Sequence, residues 1–400
     1  MKVAILGIGG VGRSLAWELI DDARVSSLLF VDKSPERARA SREMHRRKDI
    51  ESRVLNVANR AALARVLRDC DVVVNATVPD HNLAVMASAL EAGVDYLDLA
   101  ATGPRTPGGP PGILEQLDRH NAFRDAGLTG LLSMGLDPGM SNVMAKEAAE
   151  HFDAIDAIRI RSGGTVKLPR GLTTAKFVPL YSREAFFSDI MIRPSIWSDG
   201  SLVEQDLLSG EETFAFPPPV GPQRTYLISH EEVKTLPRFL GKPVRKVDFK
   251  YAIDPDLAQA LVSLENLGLL AKEQQIPLDR RRIAFRHAFQ MAFPDPLSVA
   301  DRLEGTKCVT VEVEGVLRGV HRIHRSHIAL RHQEAARRRK TTAVYYLTSV
   351  AAAIGVAMIA EGALPGPGVY PAEVLDPARV FAEWAARDLP IERSESVVPN

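Results

Sequence analysis

Three groups of residues have the types and spacing to do chemistry. The first is Gly7, Gly9 and Gly12 in the stretch GIGGVG, with Gly10 and Val11 between them. It follows the apolar run VAILG and opens a helical segment, and Asp32 closes the next apolar run 20 residues after Gly12. Glycines so placed allow a tight turn at Gly7, approach of a pyrophosphate at Gly9 and close strand–helix packing at Gly12. The helix N-terminus adds unpaired N–H groups and a positive dipole end. Asp32 would accept from ribose hydroxyls and repel a 2′-phosphate, so the pattern predicts a dinucleotide site that favours NAD. NADP stays open, because Lys33, Arg37 and Arg39 stand nearby. Asn75, Ala76, Thr77 and Pro79 occupy the place where backbone and small side chains pass a nicotinamide ribose; a strand end with a helix cap explains them equally well.

The second group is SMGLDPGMSN, residues 133–142. Asp137 and Pro138 read as an N-cap and first-turn pair, with Met140–His151 as the helix. Asp137, Ser141 and Asn142 either orient a substrate polar group or only cap that helix. The third group is His230 with Glu231 and Glu232. Histidine titrates near neutrality, and an adjacent carboxylate would fix its tautomer and raise its pKa. A surface histidine between two acids is the competing reading. Lys176 and Tyr181 are secondary proton carriers, while Arg183 and Arg238 are candidate carboxylate clamps. The histidines 321, 324 and 327, with His332 following, do not converge on one ion from either a strand or a helix, so no metal site is predicted.

These residues need a frame. Up to residue 135 short β-branched runs (3–7, 27–32, 52–57, 71–77, 95–100 and 129–134) alternate with helical segments (Gly12–Asp22, Pro35–Arg46, Arg60–Arg68, Asn82–Ala92 and Ile113–Ala126). That rhythm predicts an α/β domain, a doubly wound Rossmann parallel sheet covered on both faces. The Gly/Pro-rich stretch 101–112 reads as a loop that could cover a site. Later strands follow one another at 156–163, 224–230, 244–253 and 307–330, with helices at Pro255–Gln274 and Asp279–Phe293. They predict an α+β second domain with a mainly antiparallel sheet. The expected division is 1–140 with 341–400 for the dinucleotide domain, and 141–340 for substrate binding and dimerisation. The apolar helix at 341–362 barely reaches spanning length and reads as a core helix rather than a membrane segment.

Composition narrows the classes. Lys+Arg and Asp+Glu both number 50, which leaves no electrostatic footprint for nucleic acid. The 2 cysteines, Cys70 and Cys308, form no CxxC pair, and the start MKVAILGIG lacks a basic secretory n-region. Both features predict a reducing, cytoplasmic setting.

Taken together, GIGGVG, VVVNATVP, DYLDLA, GLDPGMSNVMA, SHEEVKTLPRF and GVYPAEVLDP resemble the saccharopine dehydrogenase family. Within it the chain is similar to the branch of saccharopine reductase, lysine ε-dehydrogenase and carboxynorspermidine dehydrogenase. The resemblance implies a nicotinamide enzyme that makes or breaks a C–N bond by hydride transfer, on an amino-acid or polyamine substrate, as a homodimer. It points to Gly7, Gly9, Gly12 and Asp32 for the cofactor, and to Tyr96, Asp98, Asp137, Asn142, His230 and Glu231 for the cleft. The stretch Gly164–Arg193 departs from the expected pattern. A lysine-like substrate is the leading expectation. The alternatives are a carboxynorspermidine-type imine reductase and a silent dinucleotide-binding regulatory protein.

Overall fold

Strand β1 (Lys2–Leu6) sends Val3 and Ile5 into one apolar cluster and Ala4 and Leu6 into another on the opposite side. The same division continues through β2 (Ser27–Asp32), stops at the edge strand β3 (Ile50–Val54), which buries only Ile50, and resumes in β4 (Val72–Asn75), β5 (Asp95–Asp98) and β6 (Thr129–Leu132). A strand dry on both faces has no polar alternation, which is why these segments read as continuous apolar runs. In the computed structural model residues 1–44, 49–101, 112–168, 177–271, 274–278 and 281–398 are described. The loop at 102–111, expected to cover a site, and Lys176 lie outside them.

The second sheet takes β7 (Ala154–Gly164), β8 (Ser195–Ser198), β9 (Ser201–Glu204), β10 (Glu212–Phe216), β11 (Gly221–Leu227) and β12 (Val244–Ala252). A separate hairpin, β13 (Gln275–Leu278) with β14 (Arg281–Ala284), precedes β15 (Thr306–Leu317) and β16 (Val320–Arg331). The expected single run 307–330 is therefore a hairpin: Arg318 and Gly319, at φ +52° and +76°, turn the chain without breaking its apolar–polar alternation. The expected helix Asp279–Phe293 shrinks to Phe285–Met291, because β14 occupies its first half. Likewise Ile113–Ala126 is two short helices, Gly112–Leu117 and His120–Asp125.

After β16 the helix Ala343–Ala360 crosses back and packs on helix Gly10–Ile20 and on β5 and β6. Every residue in it but Thr348 and Ala360 is buried. A fully buried apolar side chain contributes about 1.5–3 kcal/mol. This helix, long and apolar enough to cross a membrane, thus has its apolar surface spent inside the fold. At Gly355 a Cβ would lie 2.6 Å from Leu97 Cδ1, so glycine sets how near the helix comes to the sheet.

Next, β17 (Gly368–Pro371) joins β6 in parallel, giving the first sheet seven strands in the order β17-β6-β5-β4-β1-β2-β3. Six strands were expected; GVYP was hidden by its shortness and by Pro371, which an edge strand tolerates. The last strand, β18 (Glu392–Val397), pairs with β16 in the second sheet rather than following the first. Its exposed ERSESV sequence carries no apolar period to announce it.

The second sheet runs β10-β11-β12-β7-β15-β16-β18, with the β8–β9 hairpin beside β12. Its pairings are antiparallel except β7 with β12, which makes the sheet mixed. Four strands and two helices separate that pair along the chain, so no tight hairpin imposes an antiparallel register. One apolar cluster reaches from Val3 and Leu131 through the helices Met140–His151 and Ala343–Ala360 to Ile160, Phe249 and Val311. The two sheets therefore share a core, and the cleft between them has stiff walls.

Candidate active site

Each glycine of GIGGVG is constrained differently. Gly7 holds φ +85°, and a Cβ there would sit 2.8 Å from Ala76 O. At Gly12 a Cβ would lie 2.0 Å from Gly7 O, so a side chain would force helix and strand apart. Gly9 instead faces open space, as close approach of a phosphate requires. Gly10 abuts the ring of Tyr345. The helix Gly10–Ile20 has no side-chain cap on its first turn. Asp32 accepts from Ile8 N and Ser34 N, each at 2.8 Å, and these amides fix a carboxylate that lines the cavity beside Lys33 and Arg37. Asn75 accepts from Thr77 Oγ1 at 2.6 Å and donates to Asn82 at 2.9 Å, which shapes the wall formed with Ala76 and Pro79. Val11 lines the same wall. Open glycine, free helix amides and a fixed acid fit a dinucleotide.

From this loop a cavity of about 670 Å³ runs into the second domain, to Asp137, Asp189, His230, Tyr251 and Lys307. The turn at 133–142 forms part of its wall, but not as expected. Gly139, at φ +122°, is the N-cap of the helix Met140–His151, and a Cβ there would collide with Gly135 O at 2.3 Å. Asn142 caps Gly139 N at 2.9 Å. The requirement for glycine moves the helix start past Asp137, which joins Pro138 through a cis bond and caps nothing. Asp137 instead accepts the Ser162 hydroxyl and lies 3.5 Å from Lys307 Nζ. Asn142 is absent from the cavity wall: its amide donates to Glu373 at 3.0 Å and to Thr235 at 3.2 Å. The substrate role expected of Asn142 is therefore corrected to a structural tie among three segments.

His230 stacks flat on Phe249, ring centroids 3.6 Å apart, and its Nδ1 bonds Glu232. Glu232 also accepts Ser141 Oγ at 2.6 Å, while Glu231 accepts Ala101 N and stands 3.6 Å from the imidazole. Burial disfavours the imidazolium, but the charge and hydrogen bond of Glu232, with help from Glu231 and Asp137, outweigh it and lift the pKa to about 9. With Nδ1 committed to Glu232, His230 offers Nε2–H to the cavity at neutral pH. Burial also raises Glu231, against the opposing charge of His230.

Tyr96 and Asp98 are brought together but lie beneath the cavity rather than on its wall. Asp98 accepts from Tyr96 Oη at 2.8 Å, Gln116 Nε2 at 2.5 Å and Ser133 N at 2.7 Å. Burial pushes its carboxyl to about 7 despite those donors. Both residues buttress the end of β5, so their expected catalytic role is corrected to support. Arg238 is exposed and donates to Lys234 O of its own helix, which removes it as a carboxylate clamp. Arg183 lines the cavity but spends Nη1 on Phe293 O at 2.7 Å.

Lys307, Ser162, Asp189 and Tyr251 are site residues that sequence reasoning missed. Lys307 is 1% exposed, donates to Ser162 and lies 4.9 Å above the Tyr251 ring. Burial lowers its pKa, but Asp137 and Tyr251 reverse this and leave it raised. A lysine opening the apolar strand KCVTVEV, and an aspartate on the aromatic helix REAFFSDI, were the available signals. The histidines of β16 each face an acid: His321 lies 3.5 Å from Asp156, His324 3.5 Å from Glu395 and His327 3.5 Å from Glu392. Among the described residues, metal-like spacing occurs instead at His230, Glu231 and Glu232, whose donors already bond one another and the backbone.

Residues 3–131 match the model of the saccharopine dehydrogenase NADP binding domain, and residues 135–387 match that of the saccharopine dehydrogenase C-terminal domain. A carboxyaminopropylagmatine dehydrogenase of Synechocystis sp. is 25% identical over 397 residues, covering 97% of this chain and 96% of the relative. A carboxynorspermidine synthase of Vibrio cholerae is 26% identical over 399 residues, 94% of this chain and 93% of the relative. Saccharopine dehydrogenase (L-Glu forming) from Saccharomyces cerevisiae superposes with a TM-score of 0.73 at 14% identity, covering 100% of both chains, and so shares the fold.

The His230–Glu232 pair makes a measurable claim. Replacing Glu232 by Gln removes the charge that overcomes burial, so the His230 titration should fall from about 9 to below the ordinary histidine value. A folded-state pKa above the unfolded one stabilises fully below the unfolded value, near 6.5, and that stability fades as pH rises through 9. Histidine NMR titration, with chemical denaturation from pH 6 to about 10, should show both effects in wild type and neither in E232Q.

Proposed function

The chain belongs to the saccharopine dehydrogenase family, and on that premise we propose that it interconverts an imine and a carboxylated secondary amine of the polyamine type. It is a nicotinamide-dependent oxidoreductase acting at a C–N bond. Relatives similar along nearly the whole chain bear carboxylated polyamine and agmatine names, which favours this class over the lysine-like substrate. Charge supports the same choice. Beyond the glycine loop the cavity is lined by the acids Asp137, Glu184, Asp189, Glu231 and Asp295 against the bases Arg183, Lys307 and the raised His230, five to three. A surplus of negative charge suits a cationic amine better than a dicarboxylate.

The observation that carries the proposal is the continuity of one cavity from the glycine loop and Asp32 to His230 and Lys307. A nicotinamide held at the loop by Gly7, Gly9 and Asp32 would supply the hydride for the imine carbon, or accept it in the reverse direction. Lys307 is a buried, charged donor placed to hold a substrate carboxylate, with Ser162 and Asp137 fixing its direction. His230 gives a proton from Nε2 to the departing hydroxyl as amine and aldehyde condense, so water leaves and the C=N bond forms. Glu232 keeps the ring oriented and restores its preference for the protonated state. The reduced nitrogen keeps its own proton, so atoms and charge balance. Asp32 favours NAD, and its fixed carboxylate leaves a 2′-phosphate facing like charge.

The test is reduction of NAD and NADP with carboxynorspermidine, carboxyaminopropylagmatine, saccharopine and lysine. A carboxylated polyamine should exceed saccharopine and lysine in kcat/KM by at least about tenfold. Preference for saccharopine or lysine would contradict the assignment. Asp32→Ala should erode the preference for NAD over NADP by roughly tenfold, the scale of one lost charge contact.

A further inference from the structure

The polyamine reading leaves open what recognises the far end of the amine. Resting on that reading, we propose that Asp189, braced by the Tyr181 hydroxyl, is the seat of the substrate's distal cation, an ammonium or guanidinium. The cavity then sorts substrates by charge at two poles.

Asp189 differs from the other acids around it. Asp137 has Lys307, Glu232 has His230, and Asp248 has Arg161. Asp189 lines the cavity, accepts from Tyr181 Oη at 3.0 Å and, among the described residues, has no cation within ion-pair distance. Asp189 is a half-buried carboxylate whose nearest opposite charges, His230 and Lys234, act on it from beyond ion-pair distance, which leaves room for a cation or a proton as its close partner. Burial, and next the charge of Glu231, push Asp189 to about 7, with His230 and Lys234 pulling the other way.

The other pole is Lys307, the only Lys or Arg among the described residues that both lines the inner cavity and is buried. Tyr251 feels the charges of both Lys307 and Asp189. Tyr181 and Tyr251 line the cavity with the buried Phe186 packed behind them, its ring centroid 5.7 Å from that of Tyr181 and 6.1 Å from that of Tyr251. A ligand with a carboxylate at one end, methylenes along the middle and a cation at the other matches this order of charge, apolar surface and charge.

The experiment compares 5-aminovalerate with valerate, equal in carbon count and carboxylate but differing by one ammonium, by calorimetric titration of enzyme saturated with NAD. Wild type should bind 5-aminovalerate at least about tenfold more tightly, one ion contact's worth. Asp189→Asn keeps the shape and should abolish that difference, leaving valerate and NAD affinities unchanged. Tyr181→Phe should reduce it only a fewfold. A readout without any variant guards against misfolding: 5-aminovalerate binding to wild type near pH 6.5 should release a proton, measured in buffers of different ionisation enthalpy, and valerate should release none. Equal binding of the two ligands by wild type, or an undiminished preference in D189N, overturns the proposal. A 5-aminovalerate preference that depends on Asp189 without turnover of any carboxylated polyamine would sink the functional reading and leave this subsite standing. Turnover without that dependence would do the reverse.

Discussion

An ion pair almost without water sits where the two sheets meet. Asp137 comes from the turn after β6, Lys307 from the start of β15, and Ser162, which bonds both, from β7. Removing an ammonium and a carboxylate from water costs several kcal/mol each, and their attraction repays this only while geometry and extra hydrogen bonds are held. The shared apolar core supplies that rigidity: helix Met140–His151 lies against β15, and helix Ala343–Ala360 covers β5 and β6. In this account the buried pair serves placement of charge more than stability, since an apolar pair of similar volume would pack as well.

A second network holds the proton-carrying group. Ser141 bonds Glu232, which bonds His230, while the next residue, Asn142, ties Glu373 and Thr235. Thus GLDPGMSN, SHEEVKTLPRF and the segment after β17 converge through hydrogen bonds, although they are distant in sequence. Phe249 beneath His230 sets the plane of the ring, and Glu232 sets its charge. The consequence is an imidazolium at neutral pH, which favours proton donation and hence the reductive direction.

How much of this was legible depends on range. GIGGVG and Asp32 are local signals within one βαβ unit, and so were five of the first six strands, because burial on both faces leaves an apolar run; β3, at the sheet edge with only Ile50 buried, lies at 50–54 rather than the expected 52–57. The roles of Asp137 and Asn142 were not legible, because a glycine at φ +122° decides where the helix starts, and local capping preference loses to it. Lys307 and Asp189 carry no motif; their meaning comes from partners brought near by the mixed sheet. The acids that face the β16 histidines, Glu395 and Glu392 on β18 and Asp156 on β7, were not legible, because strand pairing brings them near. Only the resemblance to a family linked Tyr96 and Asp98 to the cleft, and the structure puts them one layer behind it.

The central claim is that hydride reaches the carbon of a substrate C–N bond held between His230 and Lys307. Enzyme supplied with reduced nicotinamide cofactor deuterated at C4, an amine and a carboxylated aldehyde should place deuterium on the carbon of the newly formed C–N bond, as read by NMR and mass spectrometry of the product. Deuterium in an alcohol carbon instead, or an unlabelled product, would contradict the account.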